Sequence, residues 1–407
     1  MNEEKTWFLL KPHIYVSDKD KSMLLYDTLS GTSLQIVDKD VISMVRNLYA
    51  DDNLGSIEAT RDLLDTPSMK SFLDNVVQQG MGELVVLKSK PVALFPILSL
   101  NSDIDKLQNK DNVDFLLAKD ISKNLLELTI MLNDICEQKC GGCMEYSRQF
   151  ICCGKGKGIH SIDREILSGL FAQLAHFPSC NINIIGGDIY RYESLELLGD
   201  VGVNGINSIN VYTHYLNYRV NPYIDKYQVH LMVNYPVNEA RLEDVVSQVR
   251  GRSVCYHLIV EDDFQFQELE RLMLHLGVDD FEVHPFYNGS NASFFENNVY
   301  LVEEDILERP ISMREIFRNQ KMNANFFGSL YVLPDGTVKA SLNEKVVGNL
   351  RNDSVLDIIY NEMMENTAWR KVRSGRPCNA CVYQYLCPPP SNYERMMGKS
   401  NLCHVSK

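Results

Sequence analysis

Between Leu125 and Gly289 the chain alternates strand-like apolar runs with helical ones, and this alternation constrains the fold more tightly than any other feature. The runs are "LLELTIML", "INIIGGD", "INSINVYTHYL", "YQVHLMVNYP", "SVCYHLIVED" and "DFEVHPFYNG". From Ile162 to Phe177 the spacing predicts a helix with Ile166, Leu167, Leu170, Phe171 and Leu174 on one face and Ser161 at its N-cap. Further helices are expected near 238–250 and 264–276. About six strands separated by helices predict an α/β fold with a parallel sheet, open or partly closed into a barrel. Such sheets bind ligands at the carboxyl ends of their strands.

Thiols gather at those ends. "NDICEQKCGGCMEYSRQFICC", from Asn133 to Cys153, holds five of the eleven cysteines. Cys136, Cys140 and Cys143 follow the first strand with the spacing C-x3-C-x2-C, and Gly186-Gly187-Asp188 closes the second. In a reduced compartment, clustered thiols bind metal rather than pair. A structural zinc site wants four tetrahedral ligands, usually as two separated pairs. Here three thiols fall within eight residues, and the adjacent Cys152 and Cys153 are poorly placed to supply a fourth. A 4Fe–4S cluster on three thiolates fits better and leaves one iron open to a substrate or cofactor.

This triple cysteine after the first strand of a βα series resembles the radical SAM signature. The resemblance implies a partial (β/α)6 barrel over residues 126–310. It also implies a 4Fe–4S cluster on Cys136, Cys140 and Cys143, with S-adenosylmethionine on the open iron. Reductive cleavage of that cofactor to a 5′-deoxyadenosyl radical, and hydrogen abstraction from a substrate, would follow. Gly186, Gly187 and Asp188 stand where the family carries Gly-Gly-Glu. The glycines would let the backbone approach the cofactor, and Asp188 would accept hydrogen bonds from its ammonium group. His214, Asn234, Glu261 and His284 fall near later strand ends, where the cofactor and substrate would lie, and Tyr287 and Asn288 near the substrate mouth. Two positions depart from the family pattern. Gly142 stands where an aromatic residue usually precedes the third cysteine, and Asp188 is one methylene shorter than the usual Glu.

Toward the C-terminus, "SLYVLPDGTVKASL" reads as a hairpin turning at Pro334-Asp335-Gly336, and "DSVLDIIYNEMMENTAWRKV" as a helix. The cysteines that follow, Cys378, Cys381, Cys387 and Cys403, resemble the SPASM extension of radical SAM enzymes, which commonly carries two auxiliary clusters. Ser341, Asp353 and Ser391 stand where the second site's cysteines would fall. Hydroxyl and carboxylate oxygens suit that soft cluster poorly. The resemblance therefore implies one auxiliary 4Fe–4S cluster on the four thiols, within a SPASM-like unit over 311–407. A zinc knuckle on the same thiols is the alternative.

Residues 1–90 read as a unit of their own. "WFLLKPHIYVS" and "SMLLYDTLSGTSLQIV" look like strands, the latter turning at Ser30-Gly31, followed by helices in "DVISMVRNLYA" and from Ser68, then "ELVVL". A three-stranded ribbon with helices is expected. It resembles the winged-helix element that holds a leader peptide as an added strand; a structural cap is the plainer alternative. Residues 91–125 are a connector. "LCPPPSNYE" and the opening strands resemble radical SAM/SPASM maturases of ribosomally made peptides. That resemblance implies a precursor peptide with a leader as substrate, and an electron donor such as flavodoxin or ferredoxin. Two alternatives stand beside it. One is a catalytically degenerate, pseudo radical SAM relative that presents the peptide to a second radical SAM subunit. The other is an enzyme of small metabolites.

The formal charge of −14 argues against a broad nucleic-acid footprint. The charged start "MNEEKTW" and strand-length apolar runs suggest neither signal peptide nor membrane span, so a cytoplasmic protein is expected. Cys152 and Cys153 read as small, partly buried side chains, Cys180 and Cys255 as core residues, and "VEEDILERP" as a solvated helix face.

Overall fold

The computed structural model describes residues 4–93, 121–154, 156, 160–199, 201 and 206–405. Most of the expected connector lies outside the described residues. The described strands are β1 (Lys5–Leu10), β2 (Ile14–Asp18), β3 (Met23–Asp27), β4 (Ser33–Ile36), β5 (Ser56–Glu58), β6 (Gly82–Leu87), β7 (Glu127–Met131), β8 (Cys180–Ile185), β9 (Ile206–His214), β10 (Gln228–Asn234), β11 (Val254–Val260), β12 (Glu282–Pro285), β13 (Ser329–Val332), β14 (Thr337–Lys339) and β15 (Val346–Asn349).

A nine-stranded sheet runs β12-β11-β10-β9-β8-β7-β13-β14-β15. The pairs from β7 to β12 are all parallel and follow chain order without reversal. That winding belongs to barrel-type sheets, in contrast to doubly wound sheets, where the order reverses at a switch point. β13 adds in parallel beside β7, and β14 and β15 continue as an antiparallel meander. The nine-residue β9 pairs with the six-residue β8 at the middle of this layer, and β10 and β11 share its longest ladder.

Side chains alternate across a strand, so each strand feeds two environments. Leu128, Ile130, Ile182, Ile184, Val211, Leu231, Val233, Leu258 and Val260 form one core with Leu167, Leu170 and Leu174 of the helix Arg164–Leu174. The intervening Met131, Ile185, Tyr212, Met232 and Ile259 form another, with Cys143, Tyr146, Cys152, Cys153 and Phe286. The first face anchors the helices; the second faces the cysteine loop.

The helices begin and end for local reasons. Arg164–Leu174 starts after Asp163, because Ser161 bridges to Asn133 instead of capping it. Val355–Glu365 begins with a reciprocal Ser354–Asp357 box. It stops at Asn366, at φ +51°, earlier than the sequence pattern suggests. The buried Glu362 carboxylate ends it by accepting from the backbone N–H groups of Thr367, Ala368 and Trp369.

The first ninety residues depart from a single ribbon. They form two three-stranded sheets, β5-β1-β6 and β2-β3-β4. "WFLLKPHIYVS" is not one strand: Pro12, which lacks an N–H and fixes φ, lies between β1 and β2, which join different sheets. Phe8, Leu25, Val45, Leu48, Leu73 and Val76 share one core there. A second contact runs to the C-terminal region, where Tyr15, Leu24 and Tyr26 pack with Ile311, Ile316, Val382 and Leu386. The Tyr26 hydroxyl accepts the Ile311 N–H at 2.7 Å. Among the described residues, no helix is long and apolar enough to cross a membrane.

Candidate functional site

The loop after β7 carries Cys136, Cys140 and Cys143 at the carboxyl end of the parallel sheet. Its backbone is fastened to the turn after β8. Gly187 N–H donates to Asn133 O at 3.0 Å, Asp188 N–H to Ile135 O at 2.6 Å, and the buried Asn133 amide to Asp188 O at 2.9 Å. The two sequence motifs thus form one structure. Gly187 has no room for a side chain, because a Cβ there would overlap the Ile135 carbonyl. Its smallness serves this close approach of two protein segments.

All three thiols fall within one electrostatic neighbourhood. The hydrogen bond with Cys140, then burial, then Cys153, Cys140 and Cys136 push the Cys143 thiol up. Crowded thiols resist ionising together unless a cation joins them, and metal binding supplies that charge. The donor set is therefore suited to a soft, thiophilic metal. Cys136 and Cys140 are half-buried, Cys143 is buried, and Tyr146 and Phe286 pack beside it edge to face at 4.6 Å.

Polar groups from later strands reach the same loop. Asn217 donates to Cys136 Sγ at 3.4 Å and to Gly187 O at 3.2 Å, while its own oxygen accepts from Gln138. His214, at the end of β9, lies with Nε2 3.6 Å from Cys140 Sγ and 2.6 Å from Asn234 Oδ1. His214 and Asn234 are thus brought to the cysteine loop, as their strand-end positions suggested. Asn217 was missed in the sequence, where only its place three residues past β9 could have pointed to it.

The remaining expected site residues are differently engaged. Asp188 is buried; its carboxylate pairs with Arg219, lies 3.9 Å from Arg191 Nε and accepts from Tyr190 N–H. Burial raises its pKa, against the opposing pull of Arg219. Glu261, just past β11, accepts from the Asn288 amide at 2.6 Å, and Tyr287 N–H donates to Gln149. Gly142 holds φ +70°, and the Phe286 ring occupies the space its side chain would need. An aromatic from the end of the sixth strand thus lies over the position that carries none. Cys152 and Cys153 are fully inside this cluster, sulfurs 3.6 Å apart. Cys180 is buried in the helix-facing core, and Cys255 is half-buried beside Gln228.

Cys378, Cys381, Cys387 and Cys403 line one small cavity with Arg373, Gln384 and Asn401. Burial pushes Cys387 up to about 12, against the pull of Arg373, with the other three thiols adding to the rise. Arg373 and Glu394 form a buried ion pair at 2.7 Å, and Arg373 and Asn401 each reach Cys378 Sγ at 3.9 Å. An all-thiol set beside a buried guanidinium suits an anionic cluster. The three non-cysteine positions have other duties. Ser341 lies within 3.3 Å of Asn392 and of Arg395, Asp353 accepts from Asn349 N–H, and Ser391 precedes the helix Asn392–Met397 in a box with Glu394.

A line of imidazoles, in which only His284 falls at a strand end, crosses the loop-facing side of the sheet. His230 Nδ1 lies 2.7 Å from His257 Nε2, and His257 Nδ1 lies 2.8 Å from His284 Nε2. Tyr212 stacks on His230 at one end and Phe150 on His284 at the other. Burial lowers the pKa of all three, His230 and His284 to about 4 and His257 to about 3. Their period-two spacing among apolar residues disguised them as ordinary strand positions.

The fold and site define a mixed α/β protein with a mostly parallel nine-stranded sheet, a three-thiol loop at its carboxyl end and a four-thiol pocket beyond it. No protein-family model and no curated protein matches the chain. Among solved structures, it is similar to Streptococcus suis SuiB bound to S-adenosylmethionine, with 12% identity over 98% of this chain and 100% of that one, at a TM-score of 0.44. SuiB bound to its precursor peptide SuiA gives 12% identity over 98% and 100%, at 0.46. Native anSMEcpe with bound AdoMet gives 13% identity over 68% and 95%, at 0.46.

Proposed function

We propose that the chain is a radical SAM enzyme that oxidises or cross-links a ribosomally made precursor peptide. The observation that carries this is the fastening of the C-x3-C-x2-C loop to the Gly186-Gly187-Asp188 turn at the carboxyl end of a barrel-type sheet. Cys136, Cys140 and Cys143 would hold a 4Fe–4S cluster whose open iron takes S-adenosylmethionine. Bound there, the pair would supply the reductive radical chemistry that removes an unactivated hydrogen. Asn217 orients Cys136, and His214, held by Asn234, orients Cys140. Phe286, Tyr146 and Met131 surround the loop with apolar surface and limit water. Gly186, Gly187, Asp188, Asn234 and Glu261 would border the cofactor. Cys378, Cys381, Cys387 and Cys403 would hold one auxiliary 4Fe–4S cluster, and a flavodoxin or ferredoxin would deliver electrons.

The leader of the peptide would add to β6. Among the described residues this strand pairs on one side only, with β1, and exposes Leu84, Val86 and Leu87. Unpaired edges recruit extended peptides through backbone hydrogen bonds, with alternate side chains read by neighbouring surface. The core of the peptide would enter near a cavity of about 300 Å³ lined by Met131, Asp134, Arg148, His160 and Leu333.

One observation favours a second reading. The Asp188 carboxylate is already paired with Arg219, so an ammonium group would have to displace that guanidinium. A non-catalytic partner that presents the peptide to a second radical SAM subunit would need no such exchange. Anaerobic reconstitution with dithionite and S-adenosylmethionine separates the two. Release of 5′-deoxyadenosine supports the enzyme; none from fully iron-loaded protein supports the partner.

A further inference from the structure

The imidazole line ends at the open edge of the large sheet, where β12 has a neighbour on one side only among the described residues. There Glu282 turns its carboxylate back toward the last two rings. Its Oε2 lies 3.4 Å from His257 Nδ1 and 3.7 Å from His284 Nε2, and those nitrogens are 2.8 Å apart. A tetrahedral zinc with bonds near 2.0 Å sets its ligand atoms about 3.3 Å from one another. The three observed separations bracket that value. His257 is buried and His284 is half-buried, but the Glu282 side chain is 67% exposed. A cation can therefore enter from solvent, and a water can complete the shell.

We propose that His257 Nδ1, His284 Nε2 and the Glu282 carboxylate form a site for a zinc-class divalent cation, with His230 orienting His257. Two imidazoles and one carboxylate are a donor set that such metals favour. The set contains no thiol, so it is chemically distinct from both cysteine sites. His230 gives the second, independent observation. A metal on His257 Nδ1 fixes that ring's proton on Nε2, which then donates to His230 Nδ1 at 2.7 Å. Metal-bound imidazoles characteristically have such a partner on the second nitrogen. Without the metal the proton between His257 and His284 can sit on either ring. Binding needs no oxidant or reductant: each neutral ring keeps its one proton on its outer nitrogen, His257 on Nε2 and His284 on Nδ1, and the cation takes the lone pairs of His257 Nδ1 and His284 Nε2 and the carboxylate.

Cobalt is the probe, because thiolate and imidazole ligation give different spectra. Protein with its cysteine sites loaded with iron is titrated anaerobically with Co2+ and followed by visible absorption and calorimetry. The inference predicts one equivalent bound with ligand-field bands and no sulfur-to-cobalt charge transfer. Glu282→Gln, a change at an exposed side chain that leaves the fold intact, should weaken binding at least about tenfold. His284→Ala should abolish it, and His230→Ala should weaken it by about 10–100-fold. No thiol-free equivalent, or unchanged affinity in Glu282→Gln and His284→Ala, would overturn the assignment.

Discussion

Asp188 donates its backbone N–H to the carbonyl of Ile135 at 2.6 Å, and beside it Gly187 lies so close to Ile135 that a methyl group cannot fit. The pair locks the thiol loop to the neighbouring strand end. Replacing Gly187 by Ala must push the two segments apart, at a cost of about 1–3 kcal/mol. Iron per chain should fall by the share of the first site, while the four-thiol pocket keeps its own. Iron analysis and thermal unfolding of Gly187→Ala check both parts.

Gly142 meets two separate demands, a left-handed backbone and the Phe286 ring over its Cα. Gly142→Ala should destabilise, and by less when Phe286 is also replaced by Ala. The coupling in that double-mutant cycle should exceed ~0.5 kcal/mol. A remainder near ~1 kcal/mol should persist from the positive φ. Denaturant unfolding of the four proteins measures it.

Arg373 and Glu394 bury opposite charges beside Cys378. Removing one partner alone strands the other, so Arg373→Met should cost ~3–5 kcal/mol. Met at 373 paired with Gln at 394 should recover much of that loss. On the proposed reading, in which the four-thiol pocket holds an anionic cluster, the double variant should still bind iron there less tightly, since no guanidinium remains to offset that charge. Chelator-driven iron release from the two variants distinguishes stability from affinity.

Glu315 is held down to about 2, first by its bond with Arg309 and then by the Ser312 backbone N–H at the start of the helix Met313–Lys321. The unfolded carboxyl titrates near 4.5, so between pH 4.5 and 2 the unfolded chain binds more protons. Its stabilisation is whole above pH 4.5 and disappears as pH falls toward 2. Both side chains reach solvent, which limits the effect to about 1 kcal/mol. Glu315→Gln should flatten the acid limb of the stability curve in that window and leave pH 7 affected only by the lost pairing.

The strand order from β7 to β12 was legible because each strand is a short β-rich run; long helices follow β7, β10 and β11, whereas β9 leads to β10 through a turn. The thiol loop and the Gly-Gly-Asp turn were legible as motifs, and their register on adjacent strands brings them together. The N-terminal unit was not: Pro12 separates what reads as one strand, and sheet membership depends on distant partners such as β5 and β6. The imidazole line escaped for a related reason. His230, His257 and His284 are each 27 residues from the next in sequence, and only the parallel pairing of three strands stacks them. Asn217 and Arg219 lie in the turn after β9, where no period marks a residue's direction.

On the proposed reading, Cys136, Cys140 and Cys143 would hold iron with one corner open. Electron paramagnetic resonance of anaerobic, dithionite-reduced protein tests it most directly. The variant used carries Ser at 378, 381, 387 and 403, so that only the first site contributes. A reduced-cluster signal that changes when S-adenosylmethionine is added, and vanishes when Cys136, Cys140 and Cys143 become Ala, is expected. A signal indifferent to S-adenosylmethionine, or one that survives loss of those three sulfurs, would contradict it.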